Sequence, residues 1–197
     1  MTENKYELYF SHLTKTSLLG RLYKRYFSAQ LIYFLSKNFG RKIAEIGSGT
    51  GSGVLGAFPN KVTGFEINSL AVDFCRKKNL NVYLIYEDKP YPAKDNEFDV
   101  CVLDNVLEHL SEPEYLLNEC ARITKLKAGL IMVVPGYKGF LSDSDHKVHY
   151  NKESLKNINS NWRHLKTFSI PFFFKSSFLS KHISQYCLVA VYEKNSN

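Results

Sequence analysis

The chain has 197 residues, 44% of them hydrophobic and 23% charged, an ordinary globular mix that predicts a single domain over 1–197. Four scattered cysteines with no short pair argue against a zinc site or a disulfide framework; no apolar run is long enough to span a bilayer, and the N-terminus lacks a signal peptide's apolar stretch, so a cytoplasmic protein is expected. The net charge of +7 divides into +6 over 1–42, −5 over 43–145 and +6 over 146–197, so the basic ends are either solvated surface or one face for an anionic partner.

Residues 1–40 read as an N-terminal helical segment, with a helix over 16–37 in which Leu19, Leu22, Tyr23, Tyr26 and Phe27 recur at helical spacing. Residues 42–46 form a short apolar strand that runs into a glycine-rich turn. A second strand covers 62–67. A helix over 70–78, capped by Asn68, and a third strand over 81–86 follow. The fourth strand, 98–104, is buried by its composition (Val100, Cys101, Val102, Leu103). A helix over 111–124 opens on a capping box of Ser111 and Glu114, with Leu116, Leu117, Cys120 and Ile123 as its apolar face. The fifth strand, 130–134, ends at Pro135. A short helix near 153–158 precedes two strands, near 164–170 and 185–193, that close the sheet. The β-α alternation through 134 specifies an α/β fold, an open parallel sheet with helices on both faces.

In such a sheet a ligand sits at the carboxyl ends of the strands. The first strand ends in Glu45-Ile46-Gly47-Ser48-Gly49-Thr50-Gly51, where glycines permit a sharp turn and a close backbone approach. Glu66 ends the second strand nineteen residues after Gly47, placed to accept hydrogen bonds from both ribose hydroxyls. The dinucleotide pattern G-x-G-x-x-G fails when counted from Gly47, because its sixth position is Ser52. A formal match at Gly51, Gly53 and Gly56 begins too late and leaves Glu66 only fifteen residues on. The loop therefore favours S-adenosylmethionine (AdoMet) over a nicotinamide cofactor.

Five blocks occur in order: the EIGSGTG loop, Glu66, FDVCVLDNVLEHL over 98–110, ECARITKLKAGLIMVVP over 119–135, and SDSDHKVHYNKESL over 142–155. Together they resemble the class I AdoMet-dependent methyltransferases, in the small-molecule group known as type 11 or type 12. The resemblance implies a Rossmann-like, seven-stranded, mostly parallel sheet. It implies an AdoMet-binding core over 41–135 and an acceptor-side, sheet-closing segment over 136–197. It also implies roles: Glu45 orienting the methionine amino group, Gly47, Ser48, Gly49, Thr50 and Gly51 lining methionine and ribose, and Glu66 with Ile67 at the ribose. Glu87 or Asp88 would lie near the adenine amine, and Asp104, Asn105 and Val106 near the sulfonium end.

The expected reaction is methyl transfer to a small-molecule or lipid- or sugar-linked acceptor, with O-methylation favoured by the histidines after the fifth strand. His149 is the first candidate base and His146 the second. Asn105-x-x-Glu108-His109 resembles the E-x-x-E-H element with which ubiquinone-pathway and small-RNA O-methyltransferases hold a divalent ion. Here Asn105 replaces the first carboxylate, and no metal is expected. Between Ser154 and Tyr192 the chain has no acidic residue, and Phe168, Phe172, Phe173, Phe174 and Phe178 surround Pro171 among lysines. Packed strand and helix would use these rings; if exposed, they suit a peripheral membrane contact or an anionic acceptor. Nucleic acid is the less favoured partner. A non-catalytic AdoMet-fold binding subunit is the alternative from a different class.

Overall fold

In a parallel sheet covered on both faces every strand residue is buried, so strands read as continuous apolar runs. The computed structural model, which describes residues 3–14, 22–171 and 177–196, shows this in β1 (Ile43–Ile46), all four residues of which are buried. It pairs in parallel with β2 (Val62–Glu66) on one side and β4 (Phe98–Asp104) on the other. The short β3 (Val82–Leu84) extends the sheet beyond β2, and β5 (Thr124–Pro135) lies beyond β4, both in parallel. β6 (Trp162–Ile170) and β7 (Cys187–Lys194) complete a seven-stranded sheet in the order β3-β2-β1-β4-β5-β7-β6. β7 runs antiparallel to both neighbours.

Alternation along the strands divides the core in two. Val100 and Val102 pack on one face with Ile43, Ile131 and Val133. Cys101 and Leu103 pack on the other with Ala44, Ile46, Leu130 and Met132. Helix α1 (Glu3–Thr14) lies at the start of the chain. α2 (Ala29–Ser36) is preceded by a π-helical turn over Lys24–Ser28. α3 (Val54–Ala57) follows the glycine loop and α4 (Ser69–Lys77) follows β2. α5 (Glu114–Ile123) precedes β5, α6 (Tyr137–Leu141) follows it, and α7 (Ser177–His182) precedes β7. Among the described residues no helix is long and apolar enough to cross a membrane.

Asn68 caps α4 as expected: its side-chain oxygen accepts from the amides of Leu70 (3.0 Å) and Ala71 (3.3 Å), worth about 1 kcal/mol. The capping box of Ser111 and Glu114 does not form. α5 starts at Glu114 with Pro113 at its N-cap position and no side-chain cap. A residue before proline is disfavoured in helical conformation, so Glu112 cannot extend the helix backward. The helix expected near 153–158 is a single 3₁₀ turn, Ser154–Lys156. Of the helix expected over 16–37, residues 16–21 lie outside the described residues, as do Phe172, Phe173, Phe174 and the side chain of Phe178.

Candidate cofactor and acceptor site

The carboxyl ends of β1, β2 and β4 bring Glu45, Glu66 and Asp104 to one edge of the sheet. The loop leaving β1 turns back at once: the Gly47 amide donates to the Phe65 carbonyl (2.8 Å), and that of Gly51 to Ser48 (3.0 Å). Gly47, Gly49 and Gly51 have φ of 70°, 53° and 70°, where a side chain is strained. A Cβ on Gly47 would also stand 2.5 Å from Val106 Cγ2.

Glu45 and Glu66 are both buried, and they hold opposite ends of this loop. The Glu45 carboxylate accepts from the amides of Val54 (3.1 Å) and Leu55 (2.6 Å), the first turn of α3. The Glu66 carboxylate accepts from Gly49 (2.6 Å) and Asn68 (2.9 Å). Burial pushes the Glu66 carboxyl above the usual range, while the Asn68 and Gly49 amides pull it back. A carboxylate offers about four acceptor positions, and the amides of Asn68, Gly49 and Ile67 act on this one, so capacity remains for a ligand hydroxyl.

Two cavities open beside this edge. The first, about 550 Å³, is lined by Glu66, Ile67, Ile85, Glu87, Val106 and Tyr91 among others. The second, about 390 Å³, is lined by Glu45, Ser48, Gly49, Thr50, Asp104 and His146 among others. Tyr9, Gly47, Asn105 and His109 line both, so the cavities meet at those residues. Gly51, Asp88 and His149 line neither. Gly51 turns the loop against Leu80, and the His149 ring lies against Tyr137 and Phe140, with centroids 5.6 and 5.2 Å away. Burial lowers the pKa of His149. Asn105 has a left-handed backbone (φ 57°), which asparagine tolerates better than other side-chain-bearing residues. Its side chain donates to Asp104 (2.7 Å).

The sequence reading missed the contribution of α1. Tyr6 and Tyr9 line the first cavity, and α1 is fastened to α4 where the Asn68 side chain donates to the Tyr6 carbonyl (2.9 Å). Tyr6, Tyr9 and Phe10 at helical spacing were the available signal. Burial raises the Tyr9 hydroxyl's pKa and pushes that of Tyr23, on the second cavity's wall, up to about 12. The reading also missed that His146 would meet Glu108 and His109. The ligating atoms of these three side chains lie within 4.8 Å of one another.

Residues 44–132, which carry the loop, Glu66 and Asp104, match the family model described as a methyltransferase domain. Residues 44–132 are a methyltransferase domain of the class I AdoMet-dependent type. No curated protein matches the chain in sequence. Among solved structures it is similar to an AdoMet-dependent methyltransferase from Aquifex aeolicus, with 20% identity over 94% of this chain and 98% of that one and a TM-score of 0.65. Another, from Archaeoglobus fulgidus, shares 19% identity over 88% and 97% of the two chains, with a TM-score of 0.62. A structure of the complex between the Haloferax volcanii Trm112 methyltransferase activator and a methyltransferase matches over 100% and 99%, with 12% identity and a TM-score of 0.75. In this methyltransferase the residues fit AdoMet. The Ser48 hydroxyl, buried on the cavity wall, makes no hydrogen bond among the described residues. Gly47 and Gly49 line the second cavity with backbone alone.

Proposed function

We propose that this methyltransferase transfers the AdoMet methyl group to an oxygen of a small neutral acceptor that enters the second cavity. Bound AdoMet supplies a methyl group on a sulfonium, which an acceptor lone pair displaces. Glu66 would hold the ribose hydroxyls with its remaining acceptor capacity, and Glu87, on the cavity wall where Asp88 is not, would meet the adenine amine. Ser48, Gly49 and Asp104 would surround the methionine portion. The acceptor would then face Tyr23, Asp143 and His146. Among the described residues this cavity is lined by Glu45, Asp104 and Asp143 and by no lysine or arginine. A neutral acceptor suits that lining better than the anionic one suggested by the basic ends of the chain.

The observation that carries the oxygen reading is the Glu108–His109–His146 cluster at the junction of the cavities. A hydroxyl must shed its proton as its oxygen takes the methyl group, and this cluster is the polar machinery nearest that point. His146 takes the role in preference to His149 because it lines the cavity. The test is turnover of labelled AdoMet with hydroxyl and amine compounds offered in parallel. Label should enter hydroxyl compounds. His146→Ala should lower turnover roughly 10²-fold or more with AdoMet affinity unchanged, and His149→Ala should turn over like the wild type. Label entering only amines, or a fully active His146→Ala, defeats the reading.

A further inference from the structure

The Glu108–His146 pair poses a chemical problem. His146 Nδ1 lies 2.8 Å from the Phe140 carbonyl oxygen. A carbonyl only accepts, so Nδ1 carries the ring proton. In the neutral ring Nε2 is then a bare lone pair, and it lies 3.8 Å from Glu108 Oε1. Both side chains are buried, at 8% and 1% exposure. The two therefore present acceptors to one buried point, where a cation would be well placed. A shared proton would draw them to about 2.7–2.9 Å. An ion with bonds of ~2.1 Å would instead set two ligands about 3.4 Å apart at a tetrahedral angle and ~4.2 Å apart when opposite. The observed spacing falls between these.

His109 supplies the third donor. Its ring meets that of His146 edge-on, with centroids 4.7 Å apart. Its Nδ1 lies 3.5 Å from Asp145 Oδ2, the outer carboxylate that commonly orients a metal-binding histidine. The backbone holds the two segments together, because the Glu108 carbonyl accepts from the amides of Lys147 (2.7 Å) and Val148 (3.1 Å). All three ligating atoms lie within 4.8 Å of one another, so side-chain shifts that close the widest pair by up to about 1.4 Å seat them round one tetrahedral ion.

We propose that Glu108, His109 and His146 form a binding site for a divalent first-row transition cation of the zinc or cobalt type. Two imidazoles and one carboxylate suit such ions, whereas magnesium and calcium prefer oxygen donors throughout. The loss of a carboxylate at Asn105 argued against an ion in the sequence, but His146 contributes a donor from a segment that the local motif does not contain. His109 lines both cavities and His146 the second, so a remaining coordination position can face the acceptor. With a cation bound, His146 would act through it as a ligand and not as the direct proton acceptor: the cation would lower the proton affinity of a bound hydroxyl, whose proton would pass to water. That use rests on the oxygen-acceptor reading; the binding itself does not.

The test uses chelator-treated full-length protein titrated with Zn²⁺ by calorimetry and with Co²⁺ by visible absorption. One ion per chain is expected, with Co²⁺ bands characteristic of imidazole coordination. His109→Ala and His146→Ala should each weaken binding at least ~100-fold, and Asp145→Asn about tenfold, while AdoMet affinity stays unchanged. Absence of stoichiometric binding, or wild-type binding by both histidine variants, overturns the site. Methylation of hydroxyl compounds at full rate in chelated protein overturns the cation's part in the reaction while leaving the oxygen reading intact. Site-specific binding with no oxygen methylation upholds the site and removes the oxygen reading instead.

Discussion

Glu45 and Glu66 are the same residue type at the ends of adjacent strands, yet their partners give them different work. Glu45 has both oxygens on the first turn of α3, so it fixes the loop against that helix. Glu66 faces the first cavity and keeps acceptor capacity for a ligand. His149 shows the converse, a residue type suited to catalysis set into a supporting position. Burial against Tyr137 and Phe140 depresses its pKa. A histidine whose folded pKa is depressed contributes stability above its unfolded value of about 6.5 and loses it as pH falls through the folded value. The thermal midpoint should therefore drop between about pH 7.5 and pH 5.5, and His149→Gln should shrink that drop. Melting curves across this range check it; parallel slopes for the two proteins would show that His149 does not titrate as described. The sequence placed His146 and His149 in one acceptor-side block. Which of them faces the cavity depends on how 142–150 turns after β5, and local periodicity carries no signal for that.

At the scale of elements, the β1–loop–α3 unit is held by a single buried carboxylate. A Cβ on Gly53 would stand 2.5 Å from Glu45 Oε1, an atom that cannot retreat without releasing the α3 amides. Gly53→Ala should cost about 1–3 kcal/mol in urea denaturation and weaken AdoMet binding. A change within about 0.5 kcal/mol, the usual range for neutral surface substitutions, would mean that the loop yields freely. The β-α order was legible because buried parallel strands are apolar throughout, as in Val100–Leu103. The start of α5 was misread because Pro113 overrode a capping pattern that fitted by spacing alone. A helical segment over 1–40 was expected, but the place of α1 beside the site was not, because its anchor is tertiary: Asn68 on the Tyr6 carbonyl and Phe10 against Phe74.

Over the whole molecule, the charge pattern and the site point in different directions. The basic ends suggested an anionic partner, but the described lining of the second cavity is acidic and aromatic. The site is also assembled from distant parts of the chain: α1 supplies Tyr9, the strand ends supply Glu66 and Asp104, and the segment after β5 supplies His146. The glycine loop and Glu66 could be placed from the sequence because they lie at the ends of β1 and β2, a short and local spacing. The acceptor side could not, because it forms only when these remote segments meet. Calorimetric titration of AdoMet into wild type and Glu66→Ala decides whether Glu66 and the glycine loop bind AdoMet. The wild type should bind one AdoMet per chain. The variant should bind about 30- to 1,000-fold more weakly, the loss of roughly 2–4 kcal/mol of charge-assisted hydrogen bonds, while remaining folded. Equal affinity in the two proteins, or a wild type that binds NAD in preference to AdoMet, would contradict it.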